Sequence, residues 1–308
     1  MSSKLHPRLQ HLENGFAASP LVRLIDSTLK HHQIELWIKR DDLLHPVISG
    51  NKWRKLKYIL DHALKLGVNC IASMGGPYSN HLHALAYAGK ALGLRTKAYV
   101  RGEAPAEFNP TLLDLQAWDM ELDFVSRSDY RQLRQYKQHD SLPGLTAGEY
   151  WLPEGGATTL ALQGVAEILK EIAIDFDVLA VACGTGATLA GLISAAPANS
   201  RILGVAALKN AEFLQHDVQQ LLLDQAIPRT NWSIILDYHF GGFAKTSPAQ
   251  LEFMQQFSAQ HSIPLESVYT GKLLYAIYDL IQQGYFKSGE RIVVCHTGGL
   301  QGNRSSVS

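Results

Sequence analysis

The sequence predicts an α/β protein built on open, mostly parallel sheets with helices on both faces. Three observations carry that expectation. Short β-branched and apolar runs alternate with amphipathic helical stretches along most of the 308 residues, the pattern of parallel strands joined by crossover helices. Several runs end in glycine and polar residues where the next helix opens, and open α/β sheets collect ligands at such junctions. A single segment, 139–159, breaks the alternation and reads as the crossing between two α/β units.

Taken in order, "ELWIK" precedes the helical stretch 47–67, and "CIASMG" precedes "NHLHALAYAGKALGL". "TKAYVRG" leads to "PTLLDLQAWDM", and "LDFVS" to "DYRQLRQYKQH". After the interruption "HDSLPGLTAGEYWLPEGGATT", rich in Gly, Pro and Thr, "DVLAVACG" opens "ATLAGLISAA" and "RILGVAAL" opens "NAEFLQHDVQQLLLDQ". "WSIILDY" then precedes "PAQLEFMQQFSAQH", and the last helix, "LLYAIYDLIQQGYF", gives way to "RIVVCHTGG". No repeat of solenoid period and no low-complexity tract is present.

The stretch "VISGNKWRKLKYILDHALKLG" contains one misplaced residue. At about 100° per residue, Trp53, Leu56, Ile59, Leu60, Ala63, Leu64 and Leu66 fill one arc of the helix. Arg54, Lys57, Asp61 and Lys65 fill the opposite arc, with Lys55 and His62 at its margin, as on a basic solvated face. Lys52 falls inside the apolar arc at the first turn. An ammonium there is disfavoured by desolvation and by the positive end of the helix dipole. Either its stem lies over apolar surface with the head in water, or it is a lysine of lowered pKa, usable as a base or as a Schiff-base amine.

Composition removes other classes. With 28 basic and 28 acidic residues the formal net charge is zero, so no global field favours nucleic acid or an anionic membrane. The N-terminal stretch lacks an apolar core of signal-peptide length, and no run approaches 18 apolar residues, which makes the cytosol the expected address. Cys70, Cys183 and Cys295 each lie in or beside an apolar run and read as reduced packing residues. His31, His32, His81 and His83 lack partners at metal-ligand spacing and read as surface or packing residues, so no metal is expected.

Four junctions remain. In "ACGTGATLAG", Gly184 and Gly186 permit a tight turn whose N–H groups, with the hydroxyls of Thr185 and Thr188, suit a phosphate at a helix N-terminus. It is neither a Walker A loop nor a full G-x-G-x-x-G, and a plain tight turn explains it equally well. In "MGGPYSNHLHAL", Ser79 or Asn80 would cap the next helix, and capping alone accounts for both. "SVYTGKLLYAI" and "VVCHTGGLQG" complete the set. Four such junctions and a core-facing lysine match the needs of pyridoxal phosphate: an amine, a phosphate nest, an amide for the phenolic oxygen and a partner for the pyridine nitrogen.

"SGNKWRKL", "GGPYSNH", "GTGAT", "VYTGK" and "HTGG", in this order and at these separations, resemble the fold type II pyridoxal-phosphate enzymes. More narrowly they resemble the D-cysteine desulfhydrase and 1-aminocyclopropane-1-carboxylate (ACC) deaminase family, over nearly the whole chain. The resemblance implies a tryptophan synthase β-like architecture with the cofactor in the cleft between two domains. The smaller would span 54–156, and the larger would combine 1–53 with 157–308. It makes Lys52 the Schiff-base lysine, with Asn51 beside it. Asn80 would contact the cofactor's 3′-oxygen, and Cys183, Gly184, Thr185, Gly186, Ala187 and Thr188 would surround the phosphate. Thr270 would lie near the pyridine nitrogen, with Thr297 and Gly298 also at the cofactor. Ser79 matches a catalytic serine near the substrate carboxylate, Tyr269 an active-site tyrosine, and His81 and Phe243 fall on the substrate side. A homodimer acting on a small amino acid is implied.

Two departures bear on the substrate. ACC deaminases resemble "YEGK" where this chain has "YTGK", and carry leucine where Thr297 stands, so the two threonines follow the desulfhydrase side. Phe243 replaces a usual tyrosine, removing a hydroxyl, unless Tyr238 supplies the ring instead. The expected reaction is α,β-elimination of D-cysteine to pyruvate, ammonia and hydrogen sulfide. The alternatives are ACC deamination to 2-oxobutyrate and ammonia, a racemase or serine/threonine dehydratase activity on the same scaffold, and cofactor binding without turnover.

Overall fold

The computed structural model describes residues 4–306. Helix α1 (Pro7–Glu13) has proline in its first turn, where the missing N–H is not needed. It is followed by β1 (Leu21–Leu24), α2 (Ser27–His31) and β2 (Glu35–Lys39). Asp26 caps α2 by accepting from the Leu29 N–H at 2.8 Å. Then come α3 (Asn51–Lys65), β3 (Cys70–Gly75), α4 (Asn80–Leu92), β4 (Arg95–Arg101), α5 (Pro110–Ala117), β5 (Met120–Val125), α6 (Arg127–Leu133) and β6 (Glu149–Leu152). The rest is α7 (Thr159–Lys170), β7 (Val178–Cys183), α8 (Ala187–Ala195), β8 (Arg201–Ala206), α9 (Phe213–Leu223), β9 (Trp232–Ile235), α10 (Pro248–His261), α11 (Thr270–Gln282) and β10 (Arg291–Cys295).

The strands form two sheets, ordered β5-β4-β3-β6 and β1-β2-β10-β7-β8-β9. All pairings are parallel except β1 with β2. The central strands β3 and β7 are buried at every residue, as expected of parallel strands covered on both faces. All three cysteines are free and buried, as their sequence context suggested.

Two expectations need correction. The interrupting segment 139–159 is not only a crossing, because "EYWL" within it is β6, the edge of the smaller sheet. Its Tyr150, Trp151 and Leu152 are buried. A four-residue strand flanked by Gly and Pro is too short to show a period. The second correction concerns α3. Its apolar arc packs as expected, with Leu56, Ile59, Leu60 and Ala63 fully buried, each large side chain contributing about 1.5–3 kcal/mol. Its charged arc is no solvated face, since Arg54, Lys55 and Asp61 are buried too.

Helix α7 lies against part of that arc, while Asp61 accepts from the His6 N–H and Lys55 donates to the Gly155 carbonyl. Arg54 donates to Asp41 at 3.0 Å and to Glu171 at 2.6 Å, and Lys39 Nζ donates to Glu171 at 2.6 Å. Lys57 pairs with Glu13 at 2.8 Å and Glu167 at 3.0 Å. The two helices meet closely at Gly164, where a Cβ would stand 1.9 Å from the Arg54 carbonyl oxygen. Sequence periodicity shows that an arc is charged, not that a neighbour carries the opposite charges.

Candidate active site

The strand-to-helix junctions of the two sheets meet around the N-terminus of α3. Gly50 precedes that helix at φ 63°, and a Cβ there would stand 2.0 Å from the Thr297 carbonyl oxygen. Gly298 is equally close-fitting, since its Cβ would be 2.6 Å from Ser49 Oγ. Thr297 and Gly298, at the exit of β10, thus seat the turn that aims Lys52.

Lys52 is the second residue of α3. Its Nζ donates to Asn51 Oδ1 at 2.7 Å, and Asn51 Nδ2 donates to Thr188 Oγ1 at 2.8 Å. Burial pushes the lysine down to about 8, with Glu266 opposing that shift. The ammonium lies 5.8 Å from the centroid of the Tyr269 ring.

Thr188 belongs to α8, whose N-terminus has no side-chain cap, so its leading N–H groups are open to an anion. Gly186 holds φ 75°, and a Cβ on Gly184 would be 3.1 Å from the Tyr269 ring. Cys183 contributes backbone only, because its thiol packs in the core beneath β7 and β8 and burial pushes it up to about 12. Thr185 adjoins Gly155, where a Cβ would come within 2.8 Å of its methyl group. The Gly155 carbonyl in turn accepts from Lys55 Nζ. Lys55 is buried, with this carbonyl as its one partner among the described residues, and burial and Lys52 hold it well below the usual lysine range.

Across the cleft, Ser79 Oγ caps α4 by accepting from the Leu82 N–H at 3.2 Å, so the capping reading holds. Among the described residues nothing accepts its hydroxyl proton, which is free to donate. Asn80 opens α4, and its Oδ1 accepts from Gln301 Nε2 at 2.8 Å. His81 is buried, with Nε2 2.9 Å from Ser73 Oγ and Nδ1 without a partner. Burial and the nearby lysines 55 and 52 hold it well below the usual histidine range.

Tyr269 precedes α11, and burial and Glu266 raise its hydroxyl above the ordinary range. Thr270 is buried, its Oγ1 accepting from the Glu266 N–H at 3.0 Å. Phe243 is half-exposed and stands edge-on to Tyr269 at 6.2 Å. Tyr238 does not replace it, because its hydroxyl donates to Asp279 at 2.7 Å.

Four further residues lie around these and were not singled out from sequence: Lys55, Glu266, Lys272 and Gln301. The Glu266 carboxylate accepts from the N–H groups of Val268 at 2.7 Å and Tyr269 at 2.8 Å, and from that of Thr270. Burial nevertheless raises its pKa. An acidic residue just ahead of a helix start is a readable capping signal in "LESVYTGK". Lys272 Nζ donates to the carbonyls of Ala207, His239 and Gly242 at 3.0, 2.9 and 2.8 Å. It thereby ties the loop bearing Phe243 to the end of β8, and no sequence signal announces such a tie.

A partly buried amine of lowered pKa, an uncapped helix N-terminus beside a glycine nest and, among the described residues, an unpaired amide donor suit a phosphate-bearing carbonyl cofactor. Residues 12–298 match the family described as pyridoxal-phosphate dependent enzyme. The chain belongs to that family. It is 32% identical to a putative 1-aminocyclopropane-1-carboxylate deaminase of Pyrococcus horikoshii, covering 87% of this chain and 85% of that protein. It is 28% identical to the D-cysteine desulfhydrase of Salmonella paratyphi A, covering 86% and 87%. A crystal structure described as an ACC deaminase homologue superposes with a TM-score of 0.78 at 27% identity over 97% of both chains. The fold is therefore that of fold type II, and the protein is a pyridoxal-phosphate-dependent enzyme.

Proposed function

We propose that the enzyme eliminates hydrogen sulfide from D-cysteine, leaving pyruvate and ammonia. The observation that carries this substrate is the neutral Thr270 at the position assigned to the ring nitrogen. Glu266, the carboxylate adjoining Thr270, is turned to three backbone N–H groups and leaves that position without an acid. A weakly polarised ring suffices to expel a good β-leaving group, whereas opening a cyclopropane asks for a deeper electron sink.

Pyridoxal phosphate, when bound, supplies the carbonyl that condenses with amines and the ring that delocalises the α-carbon's electrons. The N–H groups of Gly184 to Thr188 would hold the phosphate, with Lys55 behind them through the Gly155 carbonyl. Asn80 offers its amide donors to the 3′-oxygen. Lys52, held by Asn51, would be the amine that anchors the cofactor and the base that takes the α-proton. Ser79 donates its free hydroxyl proton to the substrate carboxylate, Tyr269 walls the site opposite Lys52, and Phe243 closes its rim with an apolar ring. His81 supports the site from behind, through Ser73 and Gly156.

The same reading divides the chain at 54–156, which contains the whole four-stranded sheet, and ends that unit at Gly155 and Gly156, both at positive φ. It also includes a cytosolic homodimer. Among the described residues no helix is long and apolar enough to cross a membrane.

The test is keto-acid release by cofactor-loaded protein with D-cysteine and ACC side by side. Pyruvate and sulfide from D-cysteine alone are expected. 2-Oxobutyrate from ACC would favour the second reading, which the name of the Pyrococcus horikoshii relative supports. Lys52→Ala should lose the visible absorption of the lysine-bound cofactor; absorption that persists would remove Lys52 from its role.

A further inference from the structure

We propose that Glu266 is a positioning residue. Its carboxylate is a built-in anion at the second of two helix N-termini in the cleft, and it sets the places of Tyr269 and Thr270 there. The proposal rests on the reading of those two residues as parts of the cofactor site.

Helices α8 and α11 begin side by side. Gly184 lies just ahead of α8 and Tyr269 just ahead of α11, and a Cβ on the glycine would stand 3.1 Å from the tyrosine ring. A helix start presents unpaired N–H groups and the positive end of a dipole. At α8 no side chain caps those groups. At α11 one residue takes four of them. Glu266 Oε1 accepts from the N–H groups of Tyr269, at 2.8 Å, and Thr270, while Oε2 accepts from that of Val268 at 2.7 Å. The Glu266 carbonyl accepts from the Gly271 N–H at 2.8 Å, and its own N–H donates to Thr270 Oγ1 at 3.0 Å.

The pattern calls for a carboxylate. Glu266 is buried, and among the described residues no lysine, arginine or histidine forms an ion pair with it. Its counter-charge is the helix end itself. A glutamine would fill the same space, yet turned either way its N–H₂ group would face at least one backbone N–H. The chain that bears the carboxylate is also tied down. His296 Nε2 donates to the Pro264 carbonyl at 2.8 Å, and Asn303 Nδ2 to the Leu265 carbonyl at 3.0 Å. A Cβ on Gly299 would stand 3.4 Å from Glu266 Cγ. Glu266 is thereby fixed to the exit of β10, the same turn that seats Lys52, and it holds Tyr269 and Thr270 to that frame.

The test compares wild type, E266A and E266Q, each in sodium formate and in sodium chloride of equal ionic strength. Two quantities are read: the melting temperature of the cofactor-free protein, and the dissociation constant of pyridoxal phosphate followed by its Lys52-dependent visible band. We expect both variants to lose cofactor affinity by about tenfold or more. Formate is a carboxylate without a chain and fits the space that E266A vacates. It should raise the melting temperature of E266A and return most of its affinity, with no such gain in wild type. E266Q fills the space and should not respond. Wild type and E266Q also report any competition of formate at α8.

A folded variant with wild-type affinity, however low its melting temperature, would overturn the proposal, because Glu266 would then be a stabilising cap alone. So would an E266A protein that formate and chloride serve equally. If E266A does not fold in either salt, E266Q decides alone: weakened affinity in the folded protein supports the proposal, and wild-type affinity overturns it. A wild-type protein without a Lys52-dependent band would overturn the cofactor reading instead. The melting response of cofactor-free E266A would still report whether the end of α11 needs its anion.

Discussion

The Lys52 ammonium donates to the side-chain oxygen of its own neighbour Asn51, 2.7 Å away. One neutral partner does not replace the water that a lysine loses on burial. Folding therefore lowers this group from 10.5 to about 8, and below that pH the folded chain carries an uncompensated charge. Lys52→Met is expected to stabilise the cofactor-free protein by about 1 kcal/mol at pH 7. Between pH 8 and 10.5 the unfolded chain binds the proton and the folded one does not, so wild-type stability rises with pH there and the variant's advantage shrinks. Urea titrations of both proteins at pH 7 and pH 10 measure the difference. An advantage that stays constant with pH would contradict the assignment.

Lys272 is fully buried, where Lys52 is partly exposed, and it answers to three carbonyls. Two of them, at His239 and Gly242, lie in a loop where Phe240 and Ala244 sit at positive φ, a conformation that costs non-glycine residues about 1 kcal/mol or more. Lys272→Met would leave the loop without its tie. We expect a loss of about 2–4 kcal/mol of stability and a rise in KM for D-cysteine larger than the fall in kcat. Steady-state kinetics at a temperature where the variant is folded would show it.

Arg54→Met removes one of the two cations that meet Asp41 and Glu171, leaving Lys39 Nζ 3.4 Å and 2.6 Å from them. Losing the arginine's hydrogen bonds to these carboxylates should cost about 1.5–3 kcal/mol. Because the apolar arc of α3 is untouched, the protein should still fold at low temperature, with a much earlier midpoint in urea.

Gly164→Ala places a methyl group 1.9 Å from the Arg54 carbonyl oxygen, a backbone atom that cannot swing aside. Separation of α3 from α7 is the only relief, and overpacking of this kind costs about 1–3 kcal/mol or more. Thermal unfolding checks it, with Gly67→Ala as a contrast. Gly67, unlike Gly164, has positive φ, and nothing lies within 4 Å of its Cβ position, so only the local backbone cost should appear.

Thr270→Glu places an acid at the position assigned to the ring nitrogen. If the neutral group there sets the reaction, the variant should gain 2-oxobutyrate release from ACC while losing activity towards D-cysteine by about tenfold or more. Assays of both substrates on one preparation decide it; a variant with the wild-type ratio would dismiss Thr270 as the determinant.

The parts of this molecule that sequence reveals are those in which a residue contradicts its own surroundings. Lys52 stands out because a cation occupies an apolar arc, and the four junctions stand out because glycine and polar groups end apolar strands. Partnerships across the chain leave no such mark. Arg54 looks solvated until Glu171 is placed beside it, and Gln301 is an ordinary polar residue until Asn80 is found 2.8 Å away. Ser79 shows the intermediate case, where capping and chemistry call for the same residue type and only the free hydroxyl proton leaves room for both.

The buried network between α3 and α7 has a consequence for synthesis of the chain. Arg54 and Glu171 are separated by 117 residues. At about 5–20 residues per second, roughly 6–23 seconds of translation separate the arrival of the arginine from that of its carboxylate. Throughout that interval the emerging polypeptide can collapse the greasy side of α3 against its neighbours, while the other side has only its earlier partners, Asp41 and Glu13, and lacks the carboxylates of α7 and Glu171. The helix carrying Lys52 therefore settles into its final bed only after the ribosome has delivered α7, and the cleft that reads the cofactor is among the last features of the molecule to take shape.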